Sequence, residues 1–222
     1  MKKILIFLLA LGASVALQAQ NKGTGDIPAD VYYLMPSFAQ GTIYFRGQMP
    51  AQGKLNICAV DNSLRFIDNN GQELSATNAD NIVKVRIDTV SFMRFEGVYY
   101  RLYPIQADMG VALRRNVRII RDAKESGYGG TSQTSSVKSY GTIYTDGAVY
   151  NLGEDKKYPW ESSEDIYVYK GETLQPLNKR ALRKLFPEKK ADIDAWFKAG
   201  NNLPEDLAGV IQLLNTWAEP AL

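Results

Sequence analysis

The sequence predicts an α+β fold, mainly antiparallel β arranged as a curled sheet or sandwich and closed by two or three short C-terminal helices. Three observations predict it. Short runs alternating apolar and polar residues recur from residue 31 to 172, a pattern suited to an antiparallel sheet with one wetted face. Turn-forming residues separate those runs. Beyond residue 172 the apolar period lengthens to that of a helix burying one side.

Taken in order, the chain opens with Lys2-Lys3, then the apolar run Ile4-Leu5-Ile6-Phe7-Leu8-Leu9-Ala10-Leu11, then small residues to Ala16. A basic start, an apolar stretch and small residues before a polar boundary read as a signal peptide over residues 1–20, cut between Ala16 and Gln20. A spanning helix needs ~20 apolar residues, so the mature form is expected to have no transmembrane segment. Residues 21–30, with Gly23, Gly25 and Pro28, read as a flexible lead-in. Strands are expected at 41–45, 54–60, 64–67, 82–87, 97–103 and 117–119. Asp68-Asn69-Asn70-Gly71 carries the Asn-Gly pair of a tight hairpin whose two central residues both need positive φ.

Residues 125–141 are rich in Gly, Ser and Thr and read as a mobile loop inside the β domain. Strands resume at 140–144, 148–152 and 165–170. The tail, 173–222, predicts helices packed on the sheet or forming a small appendage. Asn178 caps the first, which runs through Phe186 and stops at Pro187. The second covers 188–199 and ends before Gly200. The third has Pro204 in its first turn and Leu207, Val210, Ile211 and Leu214 at helical spacing, with Trp217 after them. The echo Gly41-Thr42-Ile43-Tyr44 and Gly141-Thr142-Ile143-Tyr144 is followed by no matching flanks, so shared strand-then-turn grammar accounts for it.

Composition excludes several chemistries. There is no histidine, which removes Ser-His-Asp and Cys-His hydrolases and most zinc and non-haem iron sites. The single cysteine, Cys58, cannot form an internal disulfide and sits in an apolar run as a small buried hydrophobe. No metal site, catalytic residue or cofactor is assigned. Loss of Lys2 and Lys3 with the leader takes the formal charge from +2 to zero, so no nucleic-acid partner is expected. A membrane-embedded barrel is disfavoured, because regular lipid-facing strands of about 10 residues are missing from the pattern.

Three clusters remain. Ser135-Ser136-Val137-Lys138 matches Ser-x-x-Lys, but it lies in the Gly/Ser-rich stretch without the companion motifs, and reads as a chance match. Glu154, Asp155, Glu161, Glu164 and Asp165 gather around Tyr158 and Trp160; paired carboxylates run glycoside hydrolysis without histidine. The plainer reading is a solvated loop with a buried Trp. Arg114, Arg115, Arg118, Arg121 and Lys124 form the densest basic run, with Arg114 and Arg118 on one strand face and Arg115 and Arg121 on the other. That run is either a groove for an anionic ligand or a solvated edge strand. The candidate ligand-binding residues are therefore Arg114, Arg115, Arg118, Arg121, Tyr158 and Trp160.

The leader ending at Gln20, the β-rich middle, the Gly/Ser/Thr-rich loop and the tail Asn178-Lys179-Arg180-Ala181-Leu182-Arg183-Lys184-Leu185-Phe186-Pro187 resemble a group of exported Bacteroidetes proteins without an established activity. The resemblance is sharpest over 178–217 and looser over 41–92. It implies a cell-envelope location, periplasmic or outer-surface, and transfers no functional residue. Asp88-Thr89-Val90 also resembles the short sequence on which such bacteria O-glycosylate exported proteins. The expected function is a non-enzymatic binding or assembly component with an envelope protein or glycan as partner. Thirteen Tyr and three Trp supply apolar area with a polar handle for such contacts. The alternative is a His-free hydrolase acting on glycans through paired carboxylates.

Overall fold

The computed structural model describes residues 21–77, 79–120 and 159–218. Among the described residues eleven strands form one antiparallel sheet: β1 (Asn21–Thr24), β2 (Ala39–Phe45), β3 (Ala51–Cys58), β4 (Ser63–Ile67), β5 (Glu73–Ser75), β6 (Ile82–Ile87), β7 (Val90–Phe95), β8 (Val98–Gln106), β9 (Met109–Ile119), β10 (Pro159–Lys170) and β11 (Thr173–Pro176). The spatial order is β1-β10-β9-β8-β7-β6-β2-β3-β4-β5, with β11 sharing the outer edge of β10 with β1. Two meanders, β2 to β5 and β6 to β10, thus meet through β2 and β6.

The mainly antiparallel β character and the short C-terminal helices are as the sequence predicts. The sheet itself is open and uncurled, which corrects the expectation of a curled sheet or sandwich. Short connections pair consecutive strands from β2 to β5 and from β6 to β9, and Ile43 opposite Val85 joins the two meanders edge to edge instead of stacking them.

The turns follow local chemistry. Asp68 to Gln72 is not the two-residue Asn-Gly hairpin. Gly71 N donates to the Asp68 carbonyl at 3.1 Å, and only Gly71 takes a positive φ, +79°, as in a type I turn followed by a bulge. The Asp68 carboxylate accepts from the backbone N–H of Asn70 at 2.9 Å and of Gln72 at 2.7 Å, which fixes that geometry. Two central residues with positive φ occur instead at Glu96 and Gly97, between β7 and β8. Asp88 and Thr89 form the two-residue turn between β6 and β7, leaving Thr89 exposed at its tip.

Residues 21–30, expected as a flexible lead-in, contain β1 and the start of a short helix, α1 (Ala29–Tyr32). Gly23 explains the pairing with β10. A Cβ there would lie 2.5 Å from Cζ2 of Trp160, so only glycine lets the indole lie against this strand.

The tail folds close to expectation. Asn178 caps α2 (Lys179–Leu185), its Oδ1 accepting from Ala181 N at 2.9 Å. A 3-10 turn at Pro187–Lys189 leads into α3 (Lys190–Lys198). The last helix, α4 (Leu207–Ala218), is capped by Asp206, which accepts from Gly209 N at 2.8 Å; Pro204 therefore precedes the helix and lies outside its first turn. Leu182, Phe186, Ile193, Val210, Leu214 and Trp217 bury their helical faces together with Met109, Val111 and Val168 of the sheet, so the helices dock and are not a separate appendage. A second core joins Ile43, Leu55, Ile57, Leu64, Val85, Ile87, Phe92 and Tyr99, with Leu34 and Met35 packed against it.

Candidate functional site: the ladder and groove along β10

The longest pairing in the sheet, β9 with β10, sets the site. Its register places Arg118 opposite Glu161, Arg115 opposite Glu164, and Arg114 opposite Asp165. Side chains directly opposite in an antiparallel pair share a face, and Arg115 and Arg118 each pair with the acid across the ladder. Glu161 and Glu164 thus belong to a strand, where a solvated loop was the plainer expectation. Arg118 pairs with Glu161, which Lys22 also approaches at 3.8 Å. Asn116 donates to Asp165 at 2.5 Å.

Arg115 is the most committed of these side chains. Its Nε and Nη2 donate to Glu164 Oε1 at 3.1 and 3.0 Å. Its Nη1 donates to the carbonyls of Asp30, at 2.7 Å, and Tyr33, at 3.2 Å. One guanidinium thereby ties two strands to the end of α1, a use of the planar donor fork that lysine could not reproduce. Arg114 and Arg118 share one face, as the alternation predicts. Arg114 lies beside Tyr100, whose phenol burial raises; Tyr167 adds to that rise and the Arg114 charge opposes it. The rings of Tyr100 and Tyr167 meet edge to face at 5.1 Å.

Trp160 is 6% exposed and stacked on Gly23, so its ring faces protein and not solvent. Arg121 and Tyr158 lie outside the described residues, as do Glu154, Asp155, the Ser135 to Lys138 motif, the 125–141 stretch, the expected strands at 140–144 and 148–152, and residues 1–20. The basic run is therefore a charge ladder over Arg114 to Arg118, with acids supplied by the neighbouring strand.

A groove accompanies the ladder. On the outer edge of β10, β1 covers Pro159 to Ser162 and β11 covers Tyr167 to Lys170. Between them Leu177 N donates to Ile166 O at 3.2 Å, and among the described residues no strand pairs with Ser163 to Asp165 on that edge. The resulting groove, about 650 Å³, is lined by Glu164, Asp165 and Tyr167 from β10 and by Leu203, Pro204 and Glu205 from the segment before α4, among others. Three carboxylates line it and no lysine or arginine does. Sequence reasoning missed Leu203, Pro204 and Glu205, because nothing local in a polar stretch signals which strand edge it will cross.

Cys58 is 1% exposed, and burial pushes its thiol up to about 11, with the Asp61 charge adding to the rise. It is a buried small side chain and not an activated thiolate. Among the described residues no cluster of three or more Cys, Asp or Glu side chains is placed to hold a metal ion, and no helix is long and apolar enough to cross a membrane. No family model, no curated protein and no solved structure matches this chain.

Proposed function

We propose that this chain is an exported, non-enzymatic protein of the cell envelope that binds a protein partner presenting basic side chains to the groove beside β10. The groove carries the reading. It combines an aromatic ring, five apolar side chains and three carboxylates beside a stretch of strand edge that no described strand covers, which suits an extended, positively charged segment. Export is supported by the basic start, apolar run and small residues of positions 1–20.

The hydrolase alternative needs two carboxyls free to work on one bond. Glu164 already accepts two N–H groups from Arg115, whose other contacts hold the α1 end. Glu161 and Asp165 share the opposite strand face from Glu164 and are engaged by Arg118 and Asn116. Each of these acids thus already holds a neighbouring side chain, and no two of them stand as a free pair.

Affinity purification from envelope extract tests the proposal. One stoichiometric partner is expected on the wild-type protein and is expected to be lost from Tyr167→Ala and Glu205→Lys. Glycan hydrolysis that disappears in Glu164→Gln or Glu205→Gln would overturn the binding role in favour of the enzyme. Unprocessed chain in the cytosol would overturn export.

A further inference from the structure

We propose a second site, independent of the groove: a small cavity between the β10–β11 hairpin and α2 that takes an organic oxyanion with a short apolar tail. The cavity is about 230 Å³ and opens to solvent. Its walls follow from two periodicities. Lys170 opposes Thr173 and Val168 opposes Gln175 in the hairpin register, so these four side chains share the face turned to the helices. Ala181, Lys184 and Leu185 occupy one side of α2 at i, i+3 and i+4. The small side chain of Ala181 facing this hairpin leaves the space unfilled.

The chemistry of the walls is one-sided. Lys170 and Lys184 flank the cavity, Thr173 and Gln175 add a hydroxyl and an amide, and no acidic side chain lines it. Lys170 Nζ donates to the Leu185 carbonyl at 3.5 Å, which holds the ammonium near the end of α2 with further protons to offer. Lys184 makes no ion pair among the described residues. Both cations sit where the last turn of a helix favours positive charge. Val168 and Ala181 form an apolar floor, buried at 3% exposure each. Two donors at the rim above such a floor match a carboxylate or phosphate head group carrying a few methylenes.

Amide NMR titration of the purified protein tests this with hexanoate and hexyl phosphate, against hexylamine and inorganic phosphate. Saturable shifts confined to Lys170, Thr173, Gln175, Lys184 and their neighbours are expected, with a dissociation constant of ~1 mM. Lys184→Gln should weaken binding about tenfold, and Thr173→Tyr should block the mouth. Lys84→Gln, at an exposed position on β6, should change nothing. The tighter of the two head groups identifies the ligand's source. Equal binding of hexylamine, unchanged affinity in Lys184→Gln, or shifts spread over all surface lysines would overturn the site. None of these readings depends on the β10 groove.

Discussion

The end of the sheet built on β8 to β10 and the end built on β2 to β7 bury similar apolar side chains under different covers. At the first end, α2 to α4 supply the cover, and the contacts are apolar, closed by Trp217 against Phe186 at 6.2 Å and against Trp196 at 5.8 Å. At the second, a single extended segment crosses the core. Met35 N donates to Asn56 Oδ1 at 3.1 Å and Asn56 Nδ2 donates back to the Met35 carbonyl at 3.0 Å, so a buried side chain imitates a strand partner. Leu34 N and Ala59 N complete the attachment by donating to Ile57 and Tyr32 carbonyls. Arg65 and Asp61 form a buried pair beside it at 2.5 Å. An apolar cover distributes its hold over many contacts, whereas a polar one concentrates it in a few buried groups.

That contrast can be broken at either end. Phe186→Ala should cost about 4 kcal/mol in denaturant unfolding, with amide protection falling first in α2 to α4. Asn56→Ala leaves both Met35 backbone groups without their partner and should cost about 3 kcal/mol, with protection lost first at residues 33–35 and in β3. Uniform loss of protection in both variants would show the two ends to be one cooperative unit and remove the distinction.

Alkaline titration sharpens it further. The Cys58 thiol is raised from 9.0 to about 11 in the fold, so the unfolded chain releases that proton first. The stabilisation is intact below pH 9 and is lost as pH rises through about 11. The Cys58 part of this alkaline loss, on the order of 2 kcal/mol, should vanish from the stability profile of Cys58→Ala. A smaller effect is expected at the helical end, where Asn178→Ala removes the α2 cap at a cost of about 1 kcal/mol, read as a lowered melting temperature.

The same contrast explains what could be read from the residues alone. The helical tail was legible, and α2 almost to the residue, because its core is a stripe at fixed spacing with Asn178 and Pro187 as end signals. Central β9 was not. Met109, Gly110, Val111 and Ala112 are all buried, so the alternation that marks a half-wetted strand is absent. The turn at Glu96-Gly97 was missed because glutamate is an unusual residue at positive φ. The basic run was visible, but its meaning depended on β10, whose residues Pro159 to Glu164 read as loop. Asn56 and Arg65 look like ordinary polar strand residues until the segment crossing over them is known.

The placement of β1 against β10 has a consequence for the order in which the molecule assembles. These partners stand more than a hundred residues apart in the chain, and closing a contact of that separation is entropically slow. Among the described residues the first strand pairs only with the tenth, and the Arg115 fork that holds the α1 end is completed by Glu164 of that same strand. Strand β1 is thus the last piece to lock. Pulse-labelling during refolding should show amides 21–24 gaining protection together with 159–162, after the β2 to β9 hairpins have formed.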